Sequence, residues 1–301
     1  MKFEQSLLIS NILDPLTKNS ADLIQMYEKL AAEKRYAAIE TRLIKDKMPR
    51  DKFNQIAQKS SWDITLWLTG EMGREGLSLS SLESQKLDAS IDTFFRLLDL
   101  ASDQDCQHIG LASGPIEDDQ RKNDQIQIFS DSIEKIADYI ARKNYSFDLL
   151  LEPLDEFAHK KNVIGALPSV EKLLQLLNID SRKFHLCFDT AHSALNEDNL
   201  LTSVKTLAPY VSRIHFADAV LDKENAEYGD NHRAFDQQGI MNSAYADGVL
   251  QLFSRYSRED HLFVASEVRT AKREEAWANE EEYYNFVKAV IAPFNSDAGT
   301  I

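Results

Sequence analysis

The sequence predicts an α/β protein, a (β/α)8 TIM barrel forming one domain over residues 1–301, and three observations lead there. Short apolar runs alternate with helically spaced segments until eight strand-then-helix units are counted, which favours a closed barrel over an open doubly wound sheet. Strand runs such as "DLLLEP" are apolar on both faces, as parallel strands covered by helices require. The turn after the first strand, "NILDPLTKNS", lacks a Gly-rich phosphate loop, and no G-x-x-x-x-G-K-S/T stretch occurs, so a nucleotide-binding sheet finds no support.

The strands are expected, in order, at "SLLISNIL", "YAAIETRLI", "DITLWLT", "HIGLAS", "FDLLLEP", "FHLCFDT", "VSRIHFAD" and "HLFVASEV", each rich in β-branched or aromatic residues. Helical spacing marks Ala21 to Lys34, Lys52 to Lys59, Ser81 to Ala101 and Ile128 to Lys143 in the first half. It marks Ser169 to Leu177, Leu201 to Tyr210, Tyr245 to Tyr256 and Glu281 to Pro293 in the second. Ten glycines and seven prolines provide no low-complexity linker at which to divide the chain.

Composition narrows the function. With 49 acidic against 34 basic residues, the net charge of −15 repels phosphate backbones and anionic lipid, which argues against nucleic-acid and membrane partners. Two cysteines, Cys106 and Cys187, form at most one disulfide; with an opening "MKFEQSLLIS" too poor in apolar residues for a secretion signal, a cytoplasmic location is expected. No run approaches the ~20 apolar residues needed to span a bilayer.

In a parallel barrel, chemistry collects where strands finish, because terminal inward residues and the following loops line one open mouth. The fifth strand ends at Glu152, the sixth at Asp189, the seventh carries His215 and the eighth ends at Glu267. Three carboxylates converging without compensation would repel one another strongly, and a divalent cation resolves that repulsion. An oxygen-rich set with one imidazole suits Mn²⁺, Mg²⁺ or Co²⁺, with Mn²⁺ the first expectation and an open Zn²⁺ site also compatible. Leu150, Cys187 and Ala265, two residues before three of these tips, share their strand faces and should pave the floor beneath. Cys187 reads as a small buried filler there.

"LLLEP", "FDTAH", "RIHFAD", "HRAFDQQGIMN" and "FVASEVR", in this order, resemble the xylose-isomerase-like superfamily of sugar phosphate isomerases and epimerases, most strongly from Phe147 to Arg269. The resemblance implies the same four metal ligands, with His192 and Arg233 contacting substrate hydroxyls or phosphate. Glu40 in "AIETR" matches a further family feature, read either as a substrate contact or as a buried carboxylate paired with Arg42 or a lysine. Two departures stand out. Family epimerases place Asn-Arg-aromatic-Glu after the fifth-strand Glu, where this chain has "EPLDEFAH", and their P-G-x-G loop reads "FDQQG" here.

The expected chemistry is proton transfer at carbon beside a carbonyl of a sugar, sugar phosphate or keto-polyol, through an enediolate, with Glu152 and Glu267 as the catalytic acid–base pair. Three alternatives share the fold: a metal-dependent inosose-type dehydratase, an abasic-site-endonuclease-like phosphodiesterase, and a degenerate sugar-binding barrel. Asp230 and His232 beside His192 would begin a second metal site of the nuclease kind, but the third and fourth strands lack histidines at their ends. The expected partner is a small-molecule sugar or polyol, and a homo-oligomer stays open.

Overall fold

A computed structural model describes residues 1–180 and 183–296. Eight parallel strands close into a barrel: β1 (Lys2–Leu8), β2 (Ala38–Thr41), β3 (Asp63–Trp67), β4 (His108–Leu111), β5 (Asp148–Leu151), β6 (Phe184–Asp189), β7 (Val211–Ala217) and β8 (His261–Glu267). Each strand pairs with its neighbours in sequence, and β1 closes the ring against β8 through Lys2 opposite His261. The first strand begins earlier than its apolar run suggests. Lys2 to Gln5 are needed to reach β8, while "ISNI" beyond Leu8 coils into a short helix, Ile9–Ile12, that turns the chain out of the barrel.

Eight main helices cover the sheet: α1 (Ser20–Glu33), α2 (Lys47–Ser60), α3 (Ser84–Ala101), α4 (Lys122–Lys143), α5 (Leu167–Leu176), α6 (Leu200–Leu207), α7 (Ser243–Tyr256) and α8 (Ala276–Ser296). Helix α4 shows why they lie where they do. Ile126, Phe129, Ile133, Ile136 and Ile140 recur every three or four residues, giving one apolar stripe that is fully buried, and each such side chain contributes about 1.5–3 kcal/mol by leaving water. Asn19, Asn199 and Asn242 cap α1, α6 and α7 by accepting from the backbone N–H three residues on. Asn144 ends α4 in the left-handed region at φ 56°, which asparagine tolerates better than most residues.

Two details of the sheet position the mouth. The β6–β7 register shifts between Leu186 and Cys187, and this irregularity sets Asp189 directly opposite His215. Beneath them Leu8, Trp67, Leu150, Cys187 and Ala265 form a small apolar cluster separate from the main core. The Trp67 indole fits only because residue 110 on β4 is glycine; a Cβ there would lie 2.2 Å from the ring. A two-residue ribbon, Ala219–Val220 with Gly229–Asp230, stands above the seventh strand. Cys106 and Cys187 are both buried and free. Among the described residues no helix is long and apolar enough to cross a membrane.

Candidate metal centre and its cavity

The four strand-end residues meet. Glu152, Asp189, His215 and Glu267 are all buried, and one ligand atom from each lies within 4.8 Å of the others. His215 stands in the middle, its Nδ1 3.0 Å from Glu152 Oε1 and 3.1 Å from Glu267 Oε2. Its other nitrogen, Nε2, is 2.9 Å from Glu40 Oε2. A carboxylate only accepts, so each ring nitrogen carries a proton here, and a cation on the Nδ1 side would take the place of the proton there. A carboxylate behind the far nitrogen is the arrangement that orients metal-binding imidazoles.

The donor set fits a divalent cation on a second observation. Asp189 uses Oδ1 to cap the short helix Thr190–Leu195 by accepting the His192 N–H at 2.9 Å, while its Oδ2 is buried with no hydrogen-bond partner. Burial raises the Asp189 pKa well above the ordinary range, and the Glu267, Glu152 and Asp230 carboxylates reinforce this against the opposing charge of His192. A cation between these oxygens would relieve both the orphaned acceptor and the repulsion. For His215, burial works against the charged form, but Cys187, Glu40 and Glu152 outweigh it and hold the pKa well above the usual histidine value. Burial likewise pushes the Cys187 thiol far up, leaving it a neutral filler under the site.

A cavity of about 740 Å³ opens above this centre, with Glu152, His192, His215 and Glu267 on its floor and Arg42, Lys160 and Arg269 on its walls. His192 is 3% exposed, with Nδ1 3.4 Å from Asp155 Oδ2 and Nε2 3.7 Å from Asp230 Oδ2. Burial opposes its charge, yet Asp189, Asp155 and Asp230 raise its pKa to about 10. Glu40 does not face the cavity. It is fully buried behind His215 and accepts from Ser6 Oγ at 2.7 Å and Trp67 Nε1 at 2.9 Å; Arg42 pairs with Asp14 instead. Burial alone would raise the Glu40 carboxyl, but His215 and Arg213 bring it down to about 2. Arg233 turns to Asp236 and is not part of the cavity wall.

Several contributors were invisible in the sequence. Asn11, on the turn after β1, donates to Glu267 Oε1 at 2.7 Å, and a lone asparagine in "SNIL" gives no signal of that. The departure "EPLDEFAH" sends its acids to separate tasks. Asp155 accepts the Ala158 and Lys160 N–H groups and stands beside His192, whereas Glu156 pairs with Lys122 and holds the Ala166 N–H and Ser169 hydroxyl. The altered "FDQQG" loop keeps its glycine against Asp218, where a Cβ would fall 1.9 Å from the carboxylate. Asp230 lies 3.3 Å from His232 Nδ1, and Lys160 Nζ approaches it at 3.8 Å.

The family model described as xylose isomerase-like TIM barrel matches residues 28–254. No curated protein matches the chain. Among solved structures, an L-ribulose 3-epimerase superposes with a TM-score of 0.70 at 13% identity, covering 99% of this chain and 96% of its own. An IolI protein with a bound zinc atom gives 0.69 at 16%, covering all of both chains. An AP endonuclease of family 2 from Brucella melitensis gives 0.63 at 17%, covering 94% and 98%. At these identities the likeness is one of fold.

Proposed function

Because the chain belongs to the xylose isomerase-like TIM barrel family, we propose that it is a divalent-metal-dependent isomerase or epimerase of a keto-sugar or related polyol, with its site at the C-terminal ends of β5 to β8. The observation that carries this reading is the pair of carboxylates, Glu152 and Glu267, reaching His215 Nδ1 from different strands at 3.0 and 3.1 Å on the floor of an open cavity. Glu152, Asp189, His215 and Glu267 would hold the cation, Mn²⁺ by the oxygen-rich donor set or Zn²⁺ as in the IolI neighbour. When bound, the cation supplies Lewis-acid polarisation of adjacent substrate oxygens.

The chain's own residues do the rest. One glutamate takes the proton from the carbon beside the carbonyl and the other delivers a proton, giving epimerisation at the same carbon or isomerisation at its neighbour. Asn11, donating to Glu267 Oε1, orients that carboxylate so that Oε2 is the oxygen turned to His215. His192, with Asp155 Oδ2 3.4 Å from its Nδ1, is placed on the floor to donate to a substrate hydroxyl. The Trp67 layer forms an apolar floor below the site.

Phosphodiester cleavage is the second reading, favoured by the buried unpaired atoms of Asp230, His232 and His192 beside the first centre. Lys160 already brings a positive charge to Asp230, and β3 and β4 end in Trp67 and Leu111 rather than histidines, so we favour proton transfer. The test is incubation with Mn²⁺ and a panel of ketopentoses, ketohexoses and inososes in D₂O, read by NMR. Exchange at the carbon beside the carbonyl is expected. Loss of water from an inosose would move the assignment to a dehydratase, and cleavage of an abasic oligonucleotide without sugar exchange would overturn it.

A further inference from the structure

The opposite end of the barrel carries another set of ligand-type side chains. His108 opens β4, Asp148 opens β5, and His185 is the second residue of β6. His108 pairs directly with Asp148, and His185 pairs with Leu150, two residues above Asp148 on the same face. Leu150 packs inside the barrel with Trp67 and Cys187, so all three polar side chains point inwards from adjacent strands. One ligand atom from each lies within 4.8 Å of the others. Their side chains are 14%, 19% and 17% exposed, shielded but reachable from water.

We propose that His108, Asp148 and His185 form a second metal site, structural rather than catalytic, that takes a borderline transition ion such as Zn²⁺. Two imidazoles and one carboxylate suit Zn²⁺, Ni²⁺ or Cu²⁺ and discriminate against Mg²⁺ and Ca²⁺, unlike the oxygen-rich mouth. His185 Nε2 and Asp148 Oδ2 stand 3.8 Å apart, too far for a hydrogen bond. An ion with bonds of about 2.0–2.2 Å would bridge that gap after a small movement. His108 Nδ1 is buried with no hydrogen-bond partner, while Asp63 Oδ2 lies 3.5 Å from its Nε2, again a carboxylate behind a free imidazole nitrogen.

Two cations stand near the site. Arg213 pairs with Asp63 through Nη2 and lies over the Phe263 ring, with Glu40 Oε1 4.0 Å from Nη1, so its charge is shared with two carboxylates although Nε and Nη1 have no hydrogen-bond partner. Lys183 is the competitor, with Nζ 2.7 Å from Asp148 Oδ1, but at 57% exposure it can swing into water. A bound ion would then tie β4, β5 and β6 together below the Trp67 layer.

Metal-stripped full-length protein equilibrated with Zn²⁺, desalted and assayed for metal content tests this, with calorimetric titration for affinity. His185→Ala and His108→Ala should each bind one equivalent fewer than wild type, while Asp189→Asn loses mouth metal and keeps this equivalent. Lys183→Ala should bind that equivalent up to about fivefold more tightly, a gain that misfolding does not produce. Sugar exchange should persist in His185→Ala, which separates this proposal from the catalytic one. Equal zinc content in wild type and His185→Ala, with no gain in Lys183→Ala, overturns it.

Discussion

Replacing Glu40 by Gln isolates its charge from its shape. The carboxylate receives Ser6 Oγ at 2.7 Å on one oxygen, and Trp67 Nε1 and His215 Nε2, both at 2.9 Å, on the other. A glutamine can keep its carbonyl towards the two N–H donors and turn its amide to Ser6, whose hydroxyl then accepts. Ser6, Trp67 and His215 each keep a partner. What is lost is the charge-assisted character of the bond to His215, roughly 1.5–3 against 0.5–1.5 kcal/mol, a difference of about 1.4 kcal/mol or a factor of about ten. Calorimetric titration of metal-stripped protein with Mn²⁺ should therefore show about tenfold weaker binding in Glu40→Gln. Glu40→Leu instead strands three buried donors, at about 1–3 kcal/mol each, and should lower the melting temperature markedly. Mn²⁺ affinity in Glu40→Gln within twofold of wild type would refute the claim that this carboxylate tunes the imidazole.

Glu152→Gln and Glu267→Gln should each slow solvent exchange into a responsive keto-sugar by about 10²–10⁴-fold, and rates within tenfold of wild type would exclude them as the proton-transfer pair. Gly110→Ala should cost about 1–3 kcal/mol in a denaturant melt, because its Cβ would sit 2.2 Å from the Trp67 ring and push the indole off Glu40; an unchanged midpoint would contradict the packing. Burial tends to raise the Asp63 carboxyl, but His108 and Arg213 depress it to about 2. Its contribution of ~2 kcal/mol is therefore complete above about pH 4 and disappears as pH falls through about 2. Acid melts should show that loss in wild type and a flatter limb in Asp63→Asn; parallel limbs would refute it.

The fold was legible because a parallel barrel writes its period into the chain. Two-faced apolar runs such as "DLLLEP" and stripes such as Ile126 to Ile140 each need covering, and eight repetitions of strand and helix leave few ways to cover them. Boundaries were less legible where a strand's extent depends on its partner. Residues 2–5 join β1 because β8 lies beside them, which no local pattern reveals.

For the site, legibility follows the same division between what a strand end dictates and what a loop decides. Glu152, Asp189, His215 and Glu267 could be brought together on paper, since parallel strands deliver their C-terminal residues to one mouth whatever the loops do. Loop residues obey no such rule. Arg233 stands next in sequence to His232, yet its guanidinium turns to Asp236, while Asn11, which belongs to no motif, reaches Glu267. Glu40 shows a third case. Its place on β2 put it inside the barrel, but whether it touched a ligand or a ligand's holder depended on how far up the strand it sat. The β1–β2 register pairs it with Leu8 of the floor layer, so it meets His215 from behind. Strand parity fixes the direction of a side chain and register fixes its height, and only direction can be read from a single sequence.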